Sequence, residues 1–203
     1  MTFESTDTND VVRTTAPNPP PHVVTSEFVG DLQFENEYPT DATVDKLFDQ
    51  LDFQRGRQAF LRNITASSMF SFRAGLRRNL GVTSASQLVV WEDQFDARSL
   101  VLTPNSETVY GVTYLDLKTD GPTVVEVAPG ILGLVNDMWV RETTNIGPAG
   151  PDQGRGGRFL FLPPGYDGEP PPYGFHICPS ETLGLWLLLR GMRTPDGSST
   201  DAV

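Results

Sequence analysis

The hydrophobic period of the chain changes once, near Ser86, and that change limits the fold more than any other feature. Before it, Val44, Leu47, Phe48 and Leu51 fall at i, i+3, i+4 and i+7, behind Thr40 or Asp41 as a cap. Phe53, Ala59, Phe60, Leu61 and Ile64 continue the pattern past a break expected near Gly56. Met69, Phe70, Phe72 and Leu76 then carry it to Gly81, a natural C-cap. Two or three helices are therefore expected over residues 40–80. After Ser86 the apolar segments become short, β-branched or aromatic, and separated by Gly, Pro and Asp. They are Leu88–Trp91, Thr108–Leu117, Thr123–Ala128, Ile131–Arg141, Arg158–Leu162 and Tyr173–Cys178, with Leu183–Leu189 favoured as a strand by its length. Strands without intervening helices make a mainly antiparallel sheet or sandwich. The expected class is α+β, helices first.

Domain limits follow from composition. Residues 1–26 hold six Thr and four Pro among scattered acids, so a disordered leader is expected. Residues 27–193 should form a single α+β domain, and 194–203 a polar tail or the start of a connector. The net charge of −11, with thirteen Arg, two Lys, sixteen Asp and ten Glu, disfavours nucleic acid and anionic membranes as partners. Cys178 is the sole cysteine, which excludes an intramolecular disulfide. Met1-Thr-Phe-Glu-Ser-Thr-Asp7 places acids where a secretory signal needs bases, and no apolar run approaches the roughly 20 residues of a membrane span. A soluble, cytoplasmic protein is expected.

Two stretches concentrate polar and aromatic side chains. Asp137, Trp139 and Arg141 alternate, so on one strand they would share a face, a carboxylate, an indole and a guanidinium suited to a small polar ligand. Asp137 and Arg141 would then stand roughly 13 Å apart and could not pair with each other. The bland alternative makes Trp139 core and the charges cross-strand pairs. In Asn105-Ser-Glu-Thr-Val-Tyr110, Glu107 beside an apolar sheet could act as a general acid or base, with Asn105 and Tyr110 as ligand contacts. The commoner reading is a turn whose Asn bonds its own backbone. The loop Gly147–Gly157 lacks the Gly-x-Gly-x-x-Gly spacing and a Walker Lys, so a rigid crossing or interface loop is expected before a phosphate cradle or a lid over Trp139. His22, His176 and Cys178 are too few for a zinc site, and no metal or cofactor is expected. Cys178 beside His176 reads as a buried thiol rather than a thiolate pair.

Phe53-Gln-Arg-Gly-Arg-Gln-Ala-Phe60, Trp91-Glu-Asp93, Leu102-Thr-Pro-Asn-Ser-Glu-Thr-Val-Tyr110, Asp137-Met-Trp139, Gly150-Pro-Asp-Gln-Gly-Arg-Gly-Gly157 and Leu162-Pro-Pro-Gly-Tyr166 occur in one order. Together, from Tyr38 to Arg193, they resemble the family catalogued as domain of unknown function 1254. The chain departs from that pattern at His176-Ile-Cys178. The resemblance implies no agreed activity and no catalytic residues. It implies continuation into a second β-rich domain, domain of unknown function 1214. The leading expectation is an α+β module, the N-terminal part of a larger protein, packing on that second domain or on another subunit as a homo-oligomer. The alternatives are a hydrolase for a small polar molecule, with Glu107 or Asp137 as base and Arg141 holding the substrate, and a carbohydrate-binding module using Trp139 and Tyr110 as platforms. The hydrolase reading requires Asn105, Glu107, Tyr110, Trp139 and Arg141 to converge on one concave pocket, and the carbohydrate reading requires both rings exposed and roughly coplanar.

Overall fold

The two hydrophobic periods become two kinds of element in the computed structural model, which describes residues 19–93, 95, 98 and 105–192. The chain divides into two compact units, Met1–Leu61 and Arg62–Val203, with the boundary inside a continuous helix, α1 (Asp41–Leu80). One helix of 40 residues stands where two or three were expected. Gly56 does not break it, because a helical glycine costs only about 1 kcal/mol relative to alanine and the hydrogen-bond ladder continues through it. At 1.5 Å per residue α1 runs about 60 Å. It ends where Gly81 takes a positive φ of 71°. Among the described residues no helix is long and apolar enough to cross a membrane.

In the first unit, β1 (His22–Ser26) pairs antiparallel with β2 (Gly30–Glu35), and β3 (Tyr38–Pro39) adds to the other edge of β2. The expected leader thus ends earlier than Ser26. His22-Val-Val-Thr-Ser26 is β-branched enough to pair, and the His22 ring stacks on Phe34 across the ladder at 5.2 Å. Residues 1–18 of that leader lie outside the described residues. Thr40 caps α1, its Oγ1 accepting the Thr43 N–H at 3.4 Å. Thr43, 2% exposed, uses its own Oγ1 to accept the Gln33 N–H at 2.8 Å, which ties β2 to the first helical turn.

The second unit holds β4 (Val89–Trp91), β5 (Thr108–Asp116), β6 (Thr123–Val127), β7 (Leu132–Asp137), β8 (Glu142–Ile146), β9 (Gly157–Leu162), β10 (His176–Pro179) and β11 (Gly184–Met192). An antiparallel sheet in the order β4-β5-β11-β7-β8 faces a three-stranded sheet in the order β10-β9-β6, in which β9 and β10 run parallel. Alternation along β11 sorts its side chains. Leu185, Leu187 and Leu189 point between the sheets and join Val135, Phe159 and Phe161 in the main core. Trp186 and Leu188 face the opposite way, where Met69, Phe72 and Leu76 of α1 cover Val112 and Tyr114 of β5. Each fully buried Leu, Val or Phe contributes about 1.5–3 kcal/mol. Buried on both faces, β5 is the spine of this unit.

Candidate functional site

The segment read as one strand, Ile131–Arg141, is a hairpin instead. β7 stops at Asp137, the Val140 N–H returns to the Asp137 carbonyl at 3.0 Å, and the Asp137 N–H bonds the Arg141 carbonyl at 2.9 Å. Val140 takes a positive φ of 62°, the left-handed residue that closes a three-residue loop. Asp137 and Arg141 therefore meet, against the expectation from extended spacing. The Asp137 Oδ1 accepts the Trp139 and Arg141 N–H groups at 2.8 and 2.9 Å, and its Oδ2 accepts Arg141 Nε at 2.6 Å. Arg141 also reaches the Glu181 carboxylate at 3.3 Å. The Asp137 side chain is only 5% exposed, so its oxygens are consumed in holding the loop rather than offered to a substrate. Trp139, 44% exposed, rides at the tip.

A β-branched residue in the left-handed region is strained by about 1–3 kcal/mol, and glycine is not. Val140→Gly should therefore raise the melting temperature by about 3 °C, the response of a chain of this length to about 1 kcal/mol. A lower melting temperature would mean that the half-exposed Val140 side chain is worth more than the strain.

The second predicted cluster forms a turn at the start of β5. The Asn105 Oδ1 accepts the Glu107 N–H, the Thr108 N–H and the Thr108 hydroxyl, each at 3.0 Å. This is the self-bonded Asn turn. Glu107 lies before the strand, exposed, with the Ser106 hydroxyl donating to it at 3.4 Å. Tyr110 is buried, its ring edge-on to Phe95 at 5.3 Å and under the Arg190 guanidinium at 5.3 Å, while its hydroxyl accepts the Asn105 N–H.

The two clusters do not converge. On β11, Leu185 stands opposite Asp137 and Arg190 opposite Tyr110. Five residues of strand separate them, roughly 17 Å. The composite pocket required by the hydrolase reading is absent from these positions, and buried Tyr110 is not the exposed platform that the carbohydrate reading requires.

The Gly147–Gly157 loop is a tied crossing. Asp152, 1% exposed, accepts the Gly147 N–H through Oδ1 at 2.8 Å and the Gly156 N–H through Oδ2 at 3.1 Å, which takes up amides that a phosphate would need. β8 carries the chain away from Arg141 before the loop begins, so it is no lid over Trp139. His176 packs on Phe159 at 4.9 Å between ring centres. Burial pushes the Cys178 thiol up, against a hydrogen bond from Thr144, so it stays protonated at neutral pH. Among the described residues no group of three His, Cys, Asp or Glu side chains could hold a metal ion.

Spacing gave no sign of a polar group on the helix-covered face. Arg73 of α1 reaches Asp116 of β5 at 3.3 Å and lies 5.6 Å from the Tyr114 ring centre, and the Tyr114 hydroxyl donates to the Met69 carbonyl. Burial pulls the Asp116 carboxyl up, but the Thr119 N–H, the Arg73 guanidinium and the Lys118 N–H outweigh it and hold the carboxyl below its ordinary range. Burial raises the Tyr114 hydroxyl, with Arg73 opposing.

A family model described as a protein of unknown function, DUF1254, matches residues 85–203. No curated protein matches the chain. Among solved structures, the VPA0106 protein from Vibrio parahaemolyticus is similar in fold, with a TM-score of 0.50 and 17% identity over 68% of this chain. The chain spans 32% of the length of that protein.

Proposed function

This chain belongs to the DUF1254 family, and we propose that it is an α+β module that packs, through α1, on a second β-rich domain or another subunit. The observation that carries this is the apolar surface of α1. Leu47, Phe48 and Leu51 are 40%, 61% and 37% exposed, and Phe60, Leu61 and Ile64 are 70%, 56% and 49% exposed. From Leu51 to Phe60 the helix makes about two and a half turns, so the clusters look to different sides. A helix apolar on more than one side is a helix meant for burial, and patches of this kind mark interaction surfaces. The likeness in fold to a longer protein supports the same reading.

The test is the behaviour of the chain by itself. It should sediment above its monomer mass of 22.3 kDa, dissociate on dilution and bind an apolar dye. The double substitution Phe48→Glu and Phe60→Glu should abolish both, and its melting temperature should match that of the unsubstituted chain diluted to the monomer, since these side chains are exposed. A dye-silent, monodisperse monomer with a sharp, high melt would overturn the reading.

A further inference from the structure

We propose that the cavity between the C-terminal half of α1 and the turn after β5 binds a small zwitterion of the amino-acid class, its carboxylate on Arg77 and its ammonium on Asp120. The cavity measures about 280 Å³, and its lining includes Arg73, Arg77, Thr83, Tyr114, Asp116 and Asp120. Arg73 and Arg77 are four residues apart on α1 and share a face. Arg73 is committed, held by Asp116 and by the Tyr114 ring. Its partner Asp116 is held in turn, accepting the Thr119 N–H through Oδ1 at 3.3 Å, and its lowered pKa keeps this pair ionised.

Arg77 and Asp120 are different. Both residues line the same cavity, yet the side chain of neither makes an ion pair or hydrogen bond to a described residue. They form no ion pair with each other. A purely anionic ligand on Arg77 would face Asp120, and a purely cationic one on Asp120 would face Arg77. A molecule carrying both charges a few ångströms apart satisfies each wall at once. The guanidinium offers a planar pair of donors matched to a carboxylate, and the Asp carboxylate accepts from an ammonium. Tyr114 and Leu76, both 5% exposed, supply an apolar wall for a side chain.

Calorimetric titration of the full chain with glycine, L-alanine, L-leucine and L-phenylalanine tests this, with acetate and ethylammonium as single-charge probes. At least one amino acid should bind saturably, and both single-charge probes should bind at least about tenfold more weakly. Arg77→Gln and Asp120→Asn should each weaken the amino acid at least about tenfold, while the unliganded melting temperature stays unchanged because both side chains are exposed. Absence of saturable binding by all four amino acids overturns the proposal. So does acetate or ethylammonium binding equal to theirs, or an affinity unmoved by either substitution. None of these readouts depends on the oligomeric state of α1.

Discussion

Replacing Asp152 by alanine should cost about 4 kcal/mol and lower the melting temperature by about 12 °C at fixed protein concentration. The carboxylate is 1% exposed and each of its oxygens accepts one backbone N–H, from Gly147 and from Gly156. Alanine would leave two donors unpaired in a site with no room to relax. A Cβ on Gly150 would collide with the Asn145 carbonyl oxygen, and one on Gly156 would collide with that of Val127. Each orphaned donor costs about 1–3 kcal/mol, and relief from burying the carboxylate offsets only part of the sum. Asp152→Asn keeps one acceptor and should lose about half as much. A loss under about 1 kcal/mol in the alanine variant, read from chemical denaturation, would mean that water replaces the carboxylate and the loop is not tied by it.

The second large effect is expected at Asp137. Asp137→Ala removes three hydrogen bonds to one loop: the Trp139 and Arg141 N–H groups on Oδ1 and Arg141 Nε on Oδ2. The Arg141 side chain is 58% exposed, so solvent discounts the ion pair to under about 1 kcal/mol. The two backbone bonds carry most of the expected loss of about 2–3 kcal/mol. Arg141→Ala keeps those bonds and should cost under about 1 kcal/mol. Equal losses in the two variants would overturn this ranking and make the guanidinium the principal tie.

The strands after Ser86 were legible because each is a short, β-branched or aromatic run bounded by Gly, Pro or Asp, and in β11 alternate burial also enforces period two in the residues. The hairpin in Ile131–Arg141 was not legible, because its left-handed position is held by Val140 rather than by Gly or Asn. Without a turn residue the spacing from Asp137 to Arg141 looked like distance, whereas the chain folds back and makes it contact. Gly56 misleads in the opposite sense, since its propensity penalty is too small to break a helix. The Asn105 turn could be anticipated from side-chain chemistry local to a few residues. Arg77 and Asp120 could not, because the fold alone brings a helix end and a distant strand turn to one cavity.

The strand order has a consequence for how the molecule is made. β11, the last of the described strands, lies in the middle of its sheet, pairing with β5 on one side and β7 on the other. During synthesis both of those strands leave the ribosome before the strand that separates them. Until β11 arrives, each presents an open, apolar edge able to recruit a wrong neighbour. Closure requires contacts between residues far apart in sequence, which makes it slow as well as late. The vulnerable period of this chain is therefore its own translation, and the residues that end it are Leu185, Leu187 and Leu189.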